Sequence, residues 1–588
     1  MIQQLKKLVF LVLIITAIAC EKDDAIIDSE VTTPTIETPF LEGFSDNFGA
    51  EITRSFIGTI IDNNRQPIDG VQVTIGSSTA ITDTNGIFII DDATVNERFA
   101  YIKASKIGYI HGSRALVPTL GANKVTIMLL EETVAGTTTS GTSETISLSN
   151  GASVSLNGEY IKEDGSPYQG TVDVILHHLD PVDPEVNEQM PGMLYAANAN
   201  GEERLLQTLG MLAVELRGTN GEDINLADGT TAEIRIPVDA SLMDSAPNII
   251  PLWYFDEERG FWVEDGEATL IGNEYVGTVT HFSFWNCDIP AEAISLCITI
   301  TSQDGGPLSN TYVGITSENY GTRYGITNSL GIVCGLVPHN ESLIVSGGLN
   351  CSAGDTIFSE NIGPFSSDTN IEITPTYSEA NEETITGIFT NCDGDLITNG
   401  YVEVTHGGNQ YVDLVQDGTY EINFIRCSED EVFTINAVNN DTFQSSGEIN
   451  YTFTSPITNL TAISSCDEII QFITYQIDDN PTISYLSITQ AFDDPNLFLS
   501  GSSQDGAISF AIANITNSES ELLTIFLEDA NGDSIDPPLG DTLNMTLNVT
   551  SVGEYEEYID ANFSGTYTNI SDNTTHTLDG AIHVIRYF

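Results

Sequence analysis

Short runs in which apolar and polar residues alternate, each closed by Gly, Asn, Asp or Pro, recur along most of this 588-residue chain. Val71-Gln72-Val73-Thr74-Ile75, Ala232-Glu233-Ile234-Arg235-Ile236-Pro237-Val238 and Tyr401-Val402-Glu403-Val404 are examples. A period of two puts every second side chain on one face of a strand, so β-branched residues at that spacing predict half-buried strands. Beyond the N-terminus the chain lacks the i, i+3, i+4, i+7 pattern with which a helix buries one face. Turns at this spacing predict an all-β chain of tandem β-sandwich modules, and the 50 glycines suit its many turns.

The N-terminus is different. Lys6-Lys7 precede an apolar run from Leu8 to Ala19, and Cys20 follows. A basic stretch, an apolar core and small residues before a cut site predict a signal peptide over residues 1–19. The run is too short to span a bilayer, which takes ~20 residues. Ala17-Ile18-Ala19-Cys20 resembles a bacterial lipobox, which implies cleavage before Cys20 and a lipid on its sulfur. The plainer alternative is an ordinary signal peptide with a cysteine nearby. Lys22, Asp23 and Asp24 resemble the export signal that sends lipoproteins of the Bacteroidota to the outer face of the outer membrane. The alternative there is a solvated acidic tether. Residues 21–47 are polar and Pro/Thr-rich, and a flexible, lipidated stalk is expected over residues 20–50. The resemblance implies an outer-membrane, lipid-anchored, surface-exposed protein whose first partner is the membrane.

Five modules are expected after the stalk. In the first, residues 51–132, Gly58-Thr59-Ile60-Ile61-Asp62 is followed by Gln66-Pro67-Ile68-Asp69-Gly70-Val71 and then Asp83-Thr84-Asn85-Gly86. Pro67 presets a turn, and Asp83 to Gly86 reads as a hairpin turn. These three pieces resemble the carboxypeptidase regulatory-like domain, a seven-strand sandwich of transthyretin type. That resemblance implies an accessory domain without catalytic residues. Residues 296–376, with Ser302 to Asn310 and Thr327 to Ile332, and residues 384–466, with Gly387 to Gly394 and Asp417 to Tyr420, read as degenerate copies. Residues 140–290 are a different unit that holds all three tryptophans. Ile250-Pro251-Leu252-Trp253-Tyr254-Phe255-Asp256 and Gly260-Phe261-Trp262-Val263 resemble the β-rich domain of cartilage intermediate layer proteins. Residues 469–588 are expected to form a C-terminal β-domain.

Asp and Glu number 85 against 18 Lys and Arg, a net charge of −67. Nucleic-acid binding depends on clustered basic residues, so that partner is excluded. With 40% hydrophobic residues the chain still has material for packed cores. Beyond Cys20 there are seven cysteines, an odd number. Export would favour disulfides, and pairing of near neighbours suggests Cys334 with Cys351 and Cys392 with Cys427, although sequence does not fix connectivity.

Catalytic motifs are missing: there is no His-Glu-x-x-His, Gly-x-Ser-x-Gly, phosphate-cradling loop or His-x-x-Glu pair, so no enzyme is expected. His177 and His178 are adjacent on a strand and point to opposite faces. Asp529, Asn531, Asp533 and Asp536 alternate as oxygens do in a calcium loop. Ser534 and Gly540 stand where such a loop needs Gly and Glu, which favours a plain acidic turn over a calcium site. No other cofactor is expected. Trp253, Tyr254 and Trp262 are either core or an exposed platform for stacking sugars, and core packing is favoured. The leading expectation is a non-catalytic surface lipoprotein for binding, adhesion or display, with a polysaccharide or another surface protein as partner. The alternatives are a glycan-capturing lipoprotein beside a nutrient transporter and a hydrolase with an unrecognised carboxylate site.

Overall fold

Alternating side chains do become strands, and those strands pair in five consecutive groups along the chain. The structure, a computed structural model, describes residues 41–586 apart from 42, 107, 220, 304, 349–355, 378–381, 427–429, 443, 467, 470, 479–482, 486–487, 494–495, 504–505, 516–520, 530–533, 536–543, 554–557 and 569–573.

The first group has seven strands: β1 (Glu51–Ile61), β2 (Gln72–Ile75), β3 (Ser78–Ile81), β4 (Ile87–Asn96), β5 (Ala100–Ser105), β6 (Gly112–Leu116) and β7 (Ala122–Met128). They form two sheets, ordered β4-β1-β7 and β3-β2-β5-β6. β1 runs antiparallel to β4 and parallel to β7. Phe56, Ile60, Val73, Phe88, Ile102 and Ile127 point inward from both sheets into one core, as period-two patterning requires.

The same plan recurs twice. Ala293–Ile300 pairs antiparallel with Ile332–Pro338 and parallel with Thr369–Ile373. Its facing sheet is built from Gly321–Ile326, Tyr312–Ser317, Leu343–Gly347 and Phe358–Ile362, in that order. Glu382–Asn391 likewise pairs antiparallel with Thr419–Ile425 and parallel with Ile457–Asn459. Both groups are therefore copies of the first module's topology, although neither keeps its full sequence signature.

One backbone device is shared more widely. The amide of Asp62 donates to the carbonyl of Gln66, and that of Ile68 returns to the carbonyl of Ile60. Lys162 with Ser166 and Tyr168 with Tyr160 repeat this pair of bonds; so do Ser302 with Gly306 and Leu308 with Ile300, and Asn391 with Asp395 and Ile397 with Phe389. The repeat at 160–168 lies in the tryptophan-bearing group, where the sequence reading placed no such copy. The signal was present as Asp164-Gly165-Ser166-Pro167 beside Asp304-Gly305-Gly306-Pro307.

That second group is one 13-stranded sheet. Its long strand Glu203–Gly218 pairs with Thr171–Leu179 and with Phe284–Ala291, and slips register between Thr208 and Met211. Leu206, Met211 and Ala213 enter one core cluster, whereas Leu209, Leu212, Val214 and Leu216 enter another. Burial on both faces explains the nearly continuous apolar run Leu209-Gly210-Met211-Leu212-Ala213-Val214. The last group forms two five-stranded sheets that share one core, with Phe510 meeting Phe563 at 4.9 Å between ring centroids.

The cysteines correct the near-neighbour expectation. Cys334 is bonded to Cys297 and Cys392 to Cys466. Cys297 and Cys334 sit directly opposite each other on paired strands, with Cα atoms 4.1 Å apart. Sheet register, and not proximity in sequence, selects the partner. Cys351 and Cys427 lie outside the described residues. Cys287 is a free, buried thiol.

Gly86 closes the first module. Its φ is +69°, and its carbonyl accepts from the amide of Ile60. A Cβ there would stand 2.5 Å from the carbonyl oxygen of Ile60, a backbone atom that cannot move aside. Gly331 has φ +72° and the same clash with the carbonyl of Ile300. Gly86→Ala and Gly331→Ala are each expected to cost about 2–4 kcal/mol from the left-handed penalty plus the clash. Gly165→Ala, with φ +76° and open space around it, is expected to cost only about 1 kcal/mol. Urea midpoints for the three variants check the ranking; equal losses at Gly86 and Gly165 would contradict it.

Candidate functional site

Several predicted positions lie outside the described residues: Cys20, Lys22, Asp23 and Asp24 at the N-terminus, and Asn531, Asp533 and Asp536 of the candidate calcium loop. The backbone of Asp529 ends the strand Glu521–Asp529. Among the described residues, no three His, Cys, Asp or Glu side chains gather as metal ligands. His177 and His178 do diverge: His177 bonds the carbonyl of Glu131 at 2.9 Å and His178 the amide of Asn150 at 3.0 Å.

The sugar-stacking platform is overturned. Trp253, Trp262 and Trp285 are completely buried, and Tyr254 is half-buried against the His281 ring at 4.6 Å. Trp253 and Trp262 pack in a cluster that includes Ile110 and Leu130 of the first module. Their strands lie inside a sheet covered on both faces, which leaves no indole face for a ligand. The indole of Trp253 donates to the carbonyl of Asp288 at 3.3 Å and that of Trp285 to the carbonyl of His281 at 3.1 Å.

What the structure does bring together is polar chemistry at the junctions between modules. Asp83 uses Oδ1 to accept the amides of Asn85 and Ile87, both at 2.9 Å, and so shapes its own turn. Its Oδ2 accepts the hydroxyl of Tyr401 in the fourth group, and Asn85 donates to the same hydroxyl at 2.8 Å. Burial pushes both the Asp83 carboxyl and the Tyr401 phenol upward. Asn328 holds the equivalent turn of the third group, accepting the amides of Leu330 and Ile332. Its Nδ2 reaches back to Thr119 Oγ1 at 3.0 Å and to the carbonyl of Leu120 in the first module. Lys124 on β7 ties three modules together, donating to Asn310 Oδ1 at 2.5 Å and the Val412 carbonyl at 2.6 Å, with Asp413 Oδ2 at 3.3 Å.

A cleft of about 280 Å³ opens beside β5 and β6, with Lys103, His111 and Glu257 in its wall. Burial, followed by the nearby charge of Glu215, pushes the Glu257 carboxyl up to about 8. Glu215 is raised by burial as well. A carboxyl that holds its proton at neutral pH is able to act as a general acid. Arg217, however, lies within ion-pair distance of Glu132, Glu215 and Asp223, at 2.7, 2.9 and 3.0 Å. That arrangement is an ion-pair network bracing the sheet.

A second cavity, of about 220 Å³, lies where the first three groups meet. Arg114, Lys124 and Arg323 contribute cations, Tyr312 and Tyr324 an aromatic wall, and Met190, Leu205 and Leu336 apolar surface. Burial lowers the guanidinium of Arg114, and pushes that of Arg323 down to about 10. Sequence reasoning missed all these residues, because isolated arginines on strands carry no spacing signal.

No family model matches the chain. Over 110 residues it is 31% identical to cartilage intermediate layer protein 2 of the mouse, covering 18% of this chain and 9% of that protein. The human protein is 30% identical over 109 residues, with the same coverage. The chain thus spans about a tenth of the length of the curated relatives it matches. Among solved structures, the shaft pilin SpaA of Lactobacillus rhamnosus GG aligns over 30% of this chain and all of its own, at 9% identity and a TM-score of 0.16. The minor pilin GBS52 of Streptococcus agalactiae covers 30% of this chain and 97% of its own, at 11% identity and a TM-score of 0.13.

Two outcomes test the junctions. Lys124→Met strands the buried Asp413 carboxylate and is expected to cost about 3–5 kcal/mol; adding Asp413→Asn should restore much of it, as read by urea unfolding. Between pH 4.5 and about 8 the folded chain keeps a proton on Glu257 that the unfolded chain has released. Stability therefore falls as pH rises through that window. Glu257→Gln should flatten this slope and melt higher than the parent above pH 8; an unchanged pH profile of Tm would refute the assignment.

Proposed function

We propose that this chain is a non-catalytic lipoprotein, held by Cys20 to the outer membrane and displayed on the cell surface for binding, adhesion or structural support. The observation that carries this reading is Ala17-Ile18-Ala19-Cys20 at the end of a basic-then-apolar leader. Two acyl chains or more hold a protein stably in a bilayer, and a triacylated cysteine meets that requirement. The polar residues 20–40 then lie between the lipid and the β-modules, whereas Leu41, Phe44 and Phe48, expected as part of the stalk, are buried against the modules. Interlocked sandwiches with polar exteriors suit a display role. The burial of all three tryptophans directs any polysaccharide or protein partner to the polar outer faces instead.

Metabolic labelling with a palmitate analogue is the test. The intact chain is expected to take up label and Cys20→Ala to lose it. Protease added to whole cells should shave the anchored protein. Label retained by Cys20→Ala, or protection on intact cells with degradation after lysis, would sink the proposal.

A further inference from the structure

The cavity at the three-module junction has an unusual charge balance. In a chain with 85 acids and 18 basic residues, many cations meet a carboxylate, among them Arg65, Arg98, Lys124 and Arg217. Arg114 does not. Among the described residues its one hydrogen bond is a 3.4 Å contact to the carbonyl of Gly192, and no carboxylate lies within ion-pair distance. Glu188, the acid on the same wall, is already held by Arg65 at 2.7 Å. Arg323 binds only main-chain carbonyls, Tyr320 at 2.9 Å and Leu206 at 2.8 Å, and its Nε has no partner. The carboxylate whose charge reaches it, Asp288, is sealed inside the sheet. Lys124 is consumed by Asn310 and Asp413. Arg114 is half-buried and Glu188 acts on it only at a distance, so an anion in the cavity would give its guanidinium a direct charged partner.

The remaining walls say what kind of anion. Tyr312 and Tyr324 stack with centroids 5.6 Å apart, and Leu116, Met190, Leu205 and Leu336 add apolar surface beside the polar groups. A volume of about 220 Å³ is below the ~300–1,000 Å³ of pockets for drug-sized ligands. We propose that this cavity binds a small organic carboxylate, its head on the Arg114 fork and its apolar body against Tyr312, Tyr324 and Leu336. A guanidinium matches a carboxylate through two parallel N–H···O bonds. Phosphate, with more charge to satisfy and no apolar part, fits these walls less well. The inference stands apart from the anchoring proposal, because it concerns only the folded modules.

The test uses the purified full-length chain in detergent at constant ionic strength, with hexanoate and benzoate as probes. Hexanamide, benzamide and inorganic phosphate serve as comparisons. Both acids are expected to raise Tm in a saturable way, with the amides and phosphate at least roughly tenfold weaker. Arg114→Met should abolish the response while the ligand-free Tm stays equal or rises, since no ion pair is lost; a purely structural arginine would lower it. Arg114→Lys keeps the charge without the fork and should bind several-fold more weakly, which gives a readout if the Met variant does not fold. No shift with either acid, equal shifts with the amides or phosphate, or an unchanged response in the Arg114 variants would overturn the proposal.

Discussion

A single side-chain amide or carboxylate, placed at a hairpin turn, does two jobs on which this architecture depends. One oxygen of Asp83, and of Asn328 in the third group, accepts two backbone amides and fixes the turn. The other terminal atom points outward and bonds a neighbouring module: Asp83 accepts from Tyr401, and Asn328 donates to Thr119. In the first and third modules the turn that finishes the sandwich is therefore also its docking contact. Ser309 and Asn310 of the third group donate to the carbonyl of Asn423 in the fourth, so first, third and fourth modules contact one another in all three pairings. In the fourth group the equivalent turn is a tight Asp417-Gly418 hairpin with φ +49° and +78°, closed by backbone bonds between Gln416 and Thr419.

Each sandwich alone buries one face of each sheet, and the docking contacts seal part of what is left. Ile57 and Ile87 of the first module pack with Tyr401 and Val438 of the fourth. Phe44 and Phe48 join Phe99 of the first module, Tyr195 and Phe261 of the second, and Leu336 of the third. The polar bonds fix the orientation in which these apolar surfaces meet, since a hydrogen bond to a buried hydroxyl tolerates little displacement. Area supplies the free energy and the Asx contacts supply the register.

What was legible in the sequence follows from the range of each interaction. Period two is local, so the all-β class could be read directly from runs such as Tyr401-Val402-Glu403-Val404. The Gly86 turn was legible for the same reason: its φ of +69° is imposed by neighbours a few residues away. The partner of Cys334 was not, because it is set by the pairing of strands 37 residues apart. The fate of Trp253 was also hidden: its burial is completed by Ile110 and Leu130, residues of another module. Arg114 is the extreme case, since a lone arginine on a strand becomes notable only when neighbouring modules close a cavity around it and place no carboxylate within ion-pair distance.

The same scarcity of cations bears on why the modules stay together. A net charge of −67 repels at long range, and that repulsion opposes any compact arrangement of acidic modules. Salt screens it beyond ~8 Å at physiological ionic strength. Contacts inside a junction are screened far less. Arg98 reaches Glu203 and Asp368 from two other modules at 3.2 and 3.3 Å, and Lys124 meets Asp413 with both side chains largely sealed from water. Lys124 thus acts where water is thin and its Coulomb energy large, whereas pairs such as Arg65–Glu188 and Arg235–Glu233 stay exposed and count for less. An acidic exterior keeps the molecule soluble, and a handful of interior cations offsets, at close range, the repulsion that this exterior creates.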